Sequence, residues 1–229
     1  SMQMYGEGTY PSYYNFKYPK AGEKNSTVTL HSYCVQTRDT KHLDVPLDED
    51  GYIPRITFTK NSDQLAVMTL NRQQNLFNMY YVTPKSGVSR LILREENKCY
   101  VDSEWLKSIQ FLNNGFLYVS EQDGYSHIYM YSPTGVMQRQ VTKGNWDVTQ
   151  LLGIDEATKT VYYESAEESP MQCAVYKIDA KGVKTKLSTE KGTNNAQFSA
   201  NFAYYVNRYS NANTPMKITV NETKTKKVL

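Results

Sequence analysis

Residues 76–87 read LFNMYYVTPKSG, an apolar run that carries two tyrosines and ends in a polar turn closed by glycine. The same order of residues returns at 127–135 as HIYMYSPTG and at 174–182 as AVYKIDAKG. The tyrosines at the centre of the three copies are 49 and 47 residues apart. An aromatic-rich run, a turn with glycine and a second short run predict a β-hairpin. The sequence therefore repeats one hairpin at a nearly constant period.

Two more strand candidates precede each hairpin. The first of them are residues 56–58, 109–111, 152–154 and 197–199, and the second are 65–70, 116–120, 160–165 and 202–207. Four antiparallel strands in every 40 to 50 residues are typical of the blades of a β-propeller. A single four-stranded sheet cannot cover both of its faces, so neighbouring sheets stack around an axis. The sequence predicts an all-β fold, a β-propeller fragment with four complete four-stranded antiparallel blades plus half a blade.

The predicted half blade comes first and carries the strand candidates 28–35 and 42–45, without two inner strands. We expect its open edge to offer unpaired backbone groups to a second chain, and so to promote self-association. The whole of residues 1–229 is assigned to one propeller domain. Its predicted divisions are a partial blade at 5–50 and blades at 51–98, 99–145, 146–191 and 192–229.

Composition excludes several classes of protein. The chain has 229 residues, with 26 Lys and Arg against 23 Asp and Glu, so no nucleic-acid partner is expected. No apolar run approaches the roughly 18 residues of a membrane span. The three cysteines, Cys34, Cys99 and Cys173, are too far apart for a metal motif or a disulfide framework. No cofactor is predicted.

The chain lacks a complete set of reacting groups. Its three histidines are His31, His42 and His127, and the nearest approach to a G-x-S-x-G elbow is GYSHI at 124–128. Neighbouring strand residues point to opposite faces, so Ser126 and His127 do not form a catalytic pair. No catalytic residue is predicted, and the chain by itself is interpreted as a scaffold or a binding module.

Two groups of carboxylates are interpreted as structural. The acidic residues 44, 48, 49 and 50 lack the spacing of an EF-hand, so no metal site is predicted there. The pair Glu167–Glu168 is predicted to lie in a solvated hairpin turn rather than to hold a substrate ammonium. A glycan-cleaving or lactone-hydrolysing propeller is disfavoured, because the inner strands present residues such as Thr57 and Gln110 instead of carboxylates or histidines.

Four short motifs resemble the dipeptidyl peptidase IV family, a group of serine exopeptidases of the prolyl oligopeptidase type. They are YPKAGEKN at 18–25, LNRQQN at 70–75, DGYSHIY at 123–129 and TKGNWDV at 142–148. Their order is that of the family, and the repeat extends the match to the end of the chain.

The resemblance implies an eight-bladed propeller that caps an α/β-hydrolase domain and an enzyme that releases N-terminal X-Pro or X-Ala dipeptides. In the family the catalytic Ser, Asp and His belong to the hydrolase domain, which would follow Leu229. The glutamates that clamp the substrate amine would precede residue 1, so their role is not transferred to Glu167 and Glu168. The resemblance further implies a periplasmic, secreted or outer-surface location. The expected partners are peptide substrates and the parent's own hydrolase domain.

One position is expected to face the substrate chamber. In the family an aromatic-plus-arginine loop leans toward the substrate, and the matching stretch here is YVDSEWLK at 100–107, which is shorter and has no arginine. Trp105 is the candidate, and a tryptophan that fills the space between two blades is the alternative interpretation. The predicted function is a non-catalytic propeller portion that walls the chamber and gates substrate access. A stand-alone propeller serving protein interaction is the alternative.

Overall fold

The structure, a computed structural model, describes residues 2–4, 6 and 8–229. Tyr5, the predicted first residue of the partial blade, lies outside the described residues. The regular secondary structure of the described part consists of β-strands and one 3₁₀ helix at Ser103–Ser108. The strands are β1 (Met2–Met4), β2 (Ser12–Tyr14), β3 (Leu30–Tyr33), β4 (Thr40–Leu43), β5 (Tyr52–Phe58), β6 (Leu65–Leu70), β7 (Leu76–Val82), β8 (Ser89–Glu96), β9 (Gln110–Leu112), β10 (Gly115–Ser120), β11 (His127–Tyr131), β12 (Met137–Gln140), β13 (Val148–Asp155), β14 (Thr160–Ser165), β15 (Ala174–Ile178), β16 (Lys184–Lys186), β17 (Thr193–Phe198), β18 (Tyr204–Asn211) and β19 (Thr214–Glu222).

The strands form antiparallel sheets in sequence order. The first blade is β5–β8, the second blade is β9–β12 and the third blade is β13–β16, each with four strands. The half blade consists of β3 and β4, and the last blade consists of β17–β19. Among the described strands, β1 pairs only with β2. This arrangement confirms the predicted all-β propeller class.

The last blade differs from the prediction in one respect, because the structure gives it three strands rather than four. A fourth strand is represented only by an antiparallel bridge between Asn221 and Val228 and by the hydrogen bond from the Leu229 amide to the Val220 carbonyl. Two paired residues are too few to form a strand. The hairpin β1–β2 was not predicted, since it has no counterpart in the repeat.

Apolar cores lie between successive sheets. Phe77 of the first blade packs near Tyr118 of the second, with ring centroids 5.7 Å apart, and both side chains are buried. The next core joins the second and third blades, and another joins the third and last blades through residues such as Tyr162 and Tyr205. Because each middle sheet has a neighbour on both sides, the strands β6, β10 and β14 are buried at every residue.

Within the described residues, two sheet faces are incompletely covered. On β5, Ile56 and Phe58 are 49% and 61% exposed, although their cross-strand partners Val67 and Leu65 belong to the core shared with the half blade. The half blade has only two strands, so it does not extend over β5. At the other end of the stack, β19 exposes three apolar side chains. These are Met216, Ile218 and Val220.

In the described part of the chain, no helix has the length and the apolar character that crossing a bilayer would require.

Candidate functional site

The segment that carries Trp105 connects the first blade to the second. It contains the 3₁₀ helix, whose first turn is capped by the Asp102 side chain accepting a hydrogen bond from the Glu104 amide at 2.9 Å. Val101 and Leu106 are buried in the core between the two blades, and the Val101 amide donates to the Gln74 carbonyl at 2.8 Å. These contacts fix the position of the intervening Trp105.

Trp105 is half-buried and contacts two cores, the one between the first and second blades and the one between the second and third. It also lines a narrow cleft, together with the cap residue Asp102, Tyr118 and Glu121. The side chain therefore fills space between blades and borders this cleft. Its role in facing a substrate chamber stays a prediction.

The cleft beside Trp105 is acidic. Glu95 from β8 accepts a hydrogen bond from the Ser120 hydroxyl of β10 at 2.9 Å, which joins the first blade to the second. Burial raises the pKa of Glu95, and the nearby Glu121 adds to that effect. Burial and the neighbouring Glu95 hold the pKa of Tyr118 well above its usual range. Among the described residues, neither Glu95 nor Glu121 forms an ion pair with a lysine or arginine.

The motifs DGYSHIY and TKGNWDV meet in the structure. His127 is fully buried, with Nδ1 3.1 Å from the Thr142 hydroxyl and Nε2 2.9 Å from the Gly144 carbonyl. The Gly144 carbonyl can only accept, so Nε2 carries the ring proton, and Nδ1 of the neutral ring accepts from the Thr142 hydroxyl. The edge of the imidazole packs against Trp146 at a centroid distance of 4.9 Å. His127 thus holds the start of the third blade against the second.

Ser126 and His127 have separate hydrogen-bond partners. The Ser126 hydroxyl donates to Glu121 at 3.1 Å, and the Ser126 amide donates to the Asp147 carboxylate at 2.8 Å. In the described part of the chain, no histidine ring is hydrogen-bonded to a serine hydroxyl or a cysteine thiol.

The other two motifs also meet. The Arg72 guanidinium donates to the Glu23 carbonyl at 2.7 Å and to the Asp50 carboxylate at 3.4 Å. The Asn25 side chain donates to the Asp50 carbonyl at 3.1 Å, and Lys24 pairs with Glu49 at 2.5 Å. Segment 18–25 is therefore fastened to the first blade, and two residues of the acidic group at 44–50, Glu49 and Asp50, take part in these contacts.

Glu167 and Glu168 lie in a turn, as predicted, but they are not solvated as freely as expected. Glu167 pairs with Lys184 and Glu168 pairs with Lys186 at 2.7 Å, both lysines belonging to β16. Only 23% of the Glu167 side chain is exposed. The reason is that the turn folds over the neighbouring strand, so its carboxylates find partners within the third blade.

A second buried carboxylate joins the third blade to the last. Glu164 is 1% exposed and accepts hydrogen bonds from the Ala196 amide at 2.6 Å and the Asn195 side chain at 3.0 Å. Burial raises the pKa of Glu164, although these hydrogen bonds lower it in part. Burial also raises the pKa of the adjacent Cys173 thiol to about 11. Sequence reasoning missed both Glu95 and Glu164. A glutamate inside an otherwise apolar strand run was the available indication for Glu164.

Comparison with known proteins identifies the family. A family model described as the dipeptidyl peptidase IV (DPP IV) N-terminal region matches residues 1–216. The chain belongs to this family. It is therefore part of a dipeptidyl peptidase N-terminal β-propeller domain, and the resemblance found in the sequence is confirmed.

Individual relatives agree with this assignment. The crystal structure of Porphyromonas gingivalis dipeptidyl peptidase 4 is 60% identical with a TM-score of 0.92, and the match covers 100% of this chain and 32% of that one. A putative dipeptidyl aminopeptidase IV from Bacteroides ovatus has a TM-score of 0.81 at 22% identity, covering 96% of this chain and 34% of that one, and shows the same fold.

Among curated proteins, dipeptidyl peptidase 4 of Arthroderma otae is 28% identical over 90% of this chain and 28% of its own length. A probable dipeptidyl-aminopeptidase B of Aspergillus terreus is 26% identical over 93% of this chain and 25% of its own length. The chain thus spans about a quarter of the length of the curated relatives that it matches.

The four motifs lie where segments of the propeller meet. Each motif makes contacts that fasten one part of the propeller to the next, through Arg72 on one side and His127 on the other. The motifs recognised in the sequence therefore make structural contacts between neighbouring segments of the propeller.

Proposed function

We propose that this chain is the non-catalytic, later portion of the propeller of a serine dipeptidyl peptidase that releases N-terminal X-Pro and X-Ala dipeptides. In the parent enzyme it walls the chamber and limits access to flexible peptide termini. The observation that supports this is the match of the family model to residues 1–216, together with a 60% identical relative that is a dipeptidyl peptidase 4.

The chain has no catalytic role of its own in this proposal. Its buried histidine has both ring nitrogens engaged, and its other two histidines lie side by side on an exposed hairpin. A serine nucleophile needs an adjacent base with a free ring nitrogen. The reacting groups would then belong to the parent's α/β-hydrolase domain, the partner against which the propeller closes. A periplasmic, secreted or outer-surface location belongs to the same proposal.

The direct test compares two proteins on a Gly-Pro amide reporter. The full-length gene product is expected to cleave it and to be inhibited by a serine reagent, whereas the 229-residue chain alone is expected to show no turnover. Serine-reagent-sensitive turnover by the chain alone would contradict the proposal. Full-length protein that folds but cleaves no X-Pro or X-Ala substrate would contradict it as well.

Trp105 provides a finer test of chamber access. If its ring faces the chamber, Trp105→Ala in the full-length enzyme raises KM for a pentapeptide beginning Gly-Pro several-fold. The matched control is Trp146→Phe, because Trp146 packs between His127 and Tyr163 and has no access to the cleft. A variant Trp105→Ala with unchanged kinetics and a lowered thermal midpoint would show that the side chain only fills space between blades.

A stand-alone interaction propeller is the second candidate function. The uncovered apolar faces around Phe58 and Ile218 favour it, since exposed apolar patches often bind other proteins. The two candidates differ in gene length. An interaction module would end near Leu229, whereas a peptidase would continue through a further domain that contains a G-x-S-x-G elbow.

A further inference from the structure

Two of the three histidines form a pair on the half blade. His31 of β3 and His42 of β4 are directly opposite each other in the antiparallel register. Their ring centroids are 5.0 Å apart with an interplanar angle of 71°. Both side chains are exposed. Neither histidine takes part in the contacts described above for Trp105 and for the four family motifs.

The register determines which way these rings point. The adjacent pair, Leu30 and Leu43, faces the first blade, where Leu43 is buried in the shared core. Because neighbouring strand residues point to opposite faces, His31 and His42 lie on the other face of the hairpin. Among the described residues, the only side chain hydrogen-bonded to either ring is Thr29, whose hydroxyl lies 3.2 Å from His31 Nε2.

Two neighbouring imidazoles match the preference of borderline divalent metal ions. Zn²⁺, Cu²⁺ and Ni²⁺ favour imidazole nitrogen, and nitrogens sharing one tetrahedral ion at ordinary bond lengths are about 3.4 Å apart. Directly opposite strand residues have Cβ atoms about 5 Å apart, so two imidazoles can reach that separation by side-chain rotation alone. We propose that His31 and His42 form a two-imidazole site for a divalent transition-metal ion, with water completing its coordination.

Such a site would cross-link the two strands of the half blade. The half blade contains only two strands, and a ligand that binds only the folded hairpin stabilises it by mass action. The proposed ion thus joins β3 to β4 on the face that the first blade does not support.

The remaining metal-binding side chains provide internal controls. His127 is fully buried with both ring nitrogens hydrogen-bonded, so it does not compete for the ion in the folded protein. The thiol of Cys173 is held protonated by its raised pKa and is a poor ligand. Cys34 and Cys99 are exposed and would compete, so both are replaced by serine in the protein used for the test.

The experiment is an isothermal titration of NiCl₂, and separately of ZnCl₂, into the 229-residue chain with Cys34→Ser and Cys99→Ser. We expect one ion per chain. His31→Gln and His42→Gln are each expected to weaken binding at least tenfold, whereas Thr29→Val, which keeps both imidazoles, leaves the affinity within twofold. Circular dichroism checks that every variant remains folded.

Thermal unfolding supplies a second readout. Added Ni²⁺ is expected to raise the unfolding midpoint, the chelator EDTA to reverse the rise, and either histidine substitution to abolish it. Two outcomes would overturn the proposal. They are no binding at metal concentrations up to about 1 mM, and an affinity that either of the two histidine substitutions leaves unchanged.

Discussion

Strands β14 and β18 hold the same position in neighbouring sheets and differ sharply in burial. Every residue of β14 is buried, whereas only every second residue of β18 is buried and the others are half-buried or exposed. Both strands are rich in tyrosine, so composition does not explain the difference. β14 has a blade on each side, and β18 has a described neighbour on one side only. Burial in this fold therefore comes from the stacking of blades rather than from the strand itself.

The largest expected effect is a difference in stability between two truncated phenylalanines, one buried between blades and one on an open face. Phe116 of β10 is fully buried and stacks on Tyr131 at 5.1 Å, so Phe116→Ala should lower the free energy of unfolding by about 3–5 kcal/mol. Phe58 is 61% exposed, so Phe58→Ala should change it by less than about 0.5 kcal/mol. Urea unfolding measures both. Equal losses in the free energy of unfolding would contradict the claim that the stacking of blades buries Phe116 and leaves Phe58 exposed.

A second pair of variants tests how closely the blades approach each other. Gly135 and Gly182 occupy equivalent positions in two hairpin turns, β11–β12 of the second blade and β15–β16 of the third. Their φ angles are +85° and +86°. A Cβ on Gly135 would lie 1.7 Å from the Ile92 carbonyl oxygen of the first blade, whereas a Cβ on Gly182 meets nothing within 4 Å.

Gly182→Ala should therefore cost about 1 kcal/mol from backbone strain alone, and Gly135→Ala about 2–4 kcal/mol. Thermal unfolding of the two variants side by side measures the difference. A smaller loss for Gly135→Ala than for Gly182→Ala would contradict the packing of the first blade against the second.

A third prediction concerns the carboxylate between the third and last blades. Burial raises the pKa of Glu164 above the ordinary 4.5. The stability that the protonated side chain contributes is therefore fully present below pH 4.5 and is lost as the pH rises through the folded-state pKa. The variant Glu164→Gln should therefore show a smaller loss of stability between pH 4.5 and pH 7 than the unmodified chain. Urea unfolding across this range measures the slope. The exposed Glu190→Gln is the control, and an equal change of slope there would refute the assignment to Glu164.

The smallest effect is expected in self-association. A strand added to the open edge of β3 would lie over Ile56 and Phe58, which the half blade leaves uncovered. Phe58→Lys should therefore reduce a concentration-dependent dimer more than Ile218→Lys, which changes the opposite end of the stack. Size exclusion with light scattering measures the dimer fraction. A concentration-independent monomer in the unmodified chain would remove the basis of this prediction.

The repeat made most of the fold predictable. Each hairpin has its own turn chemistry and apolar run, so the third strands around Tyr80, Tyr129 and Tyr176 were placed from local sequence alone. The 3₁₀ helix around Trp105 was missed, because six residues are too few to establish a period. The hairpin β1–β2 was missed because nothing else in the chain repeats it.

The contacts between blades were less predictable than the blades. Glu95 and Ser120 are 25 residues apart and Glu164 and Ala196 are 32 apart, and no motif links either pair. Such contacts depend on how two sheets approach each other, which strand periodicity does not specify. The resemblance located the four motifs, but only the structure showed that they meet in pairs.

Amide hydrogen exchange, read by mass spectrometry on the 229-residue chain, tests most directly whether stacked blades bury the interior strands. The account predicts that β6, β10 and β14 exchange slowest, and that β3, β4 and β19 exchange markedly faster. Protection of β19 equal to that of β10, or a fast-exchanging β14 between two slow sheets, would contradict it.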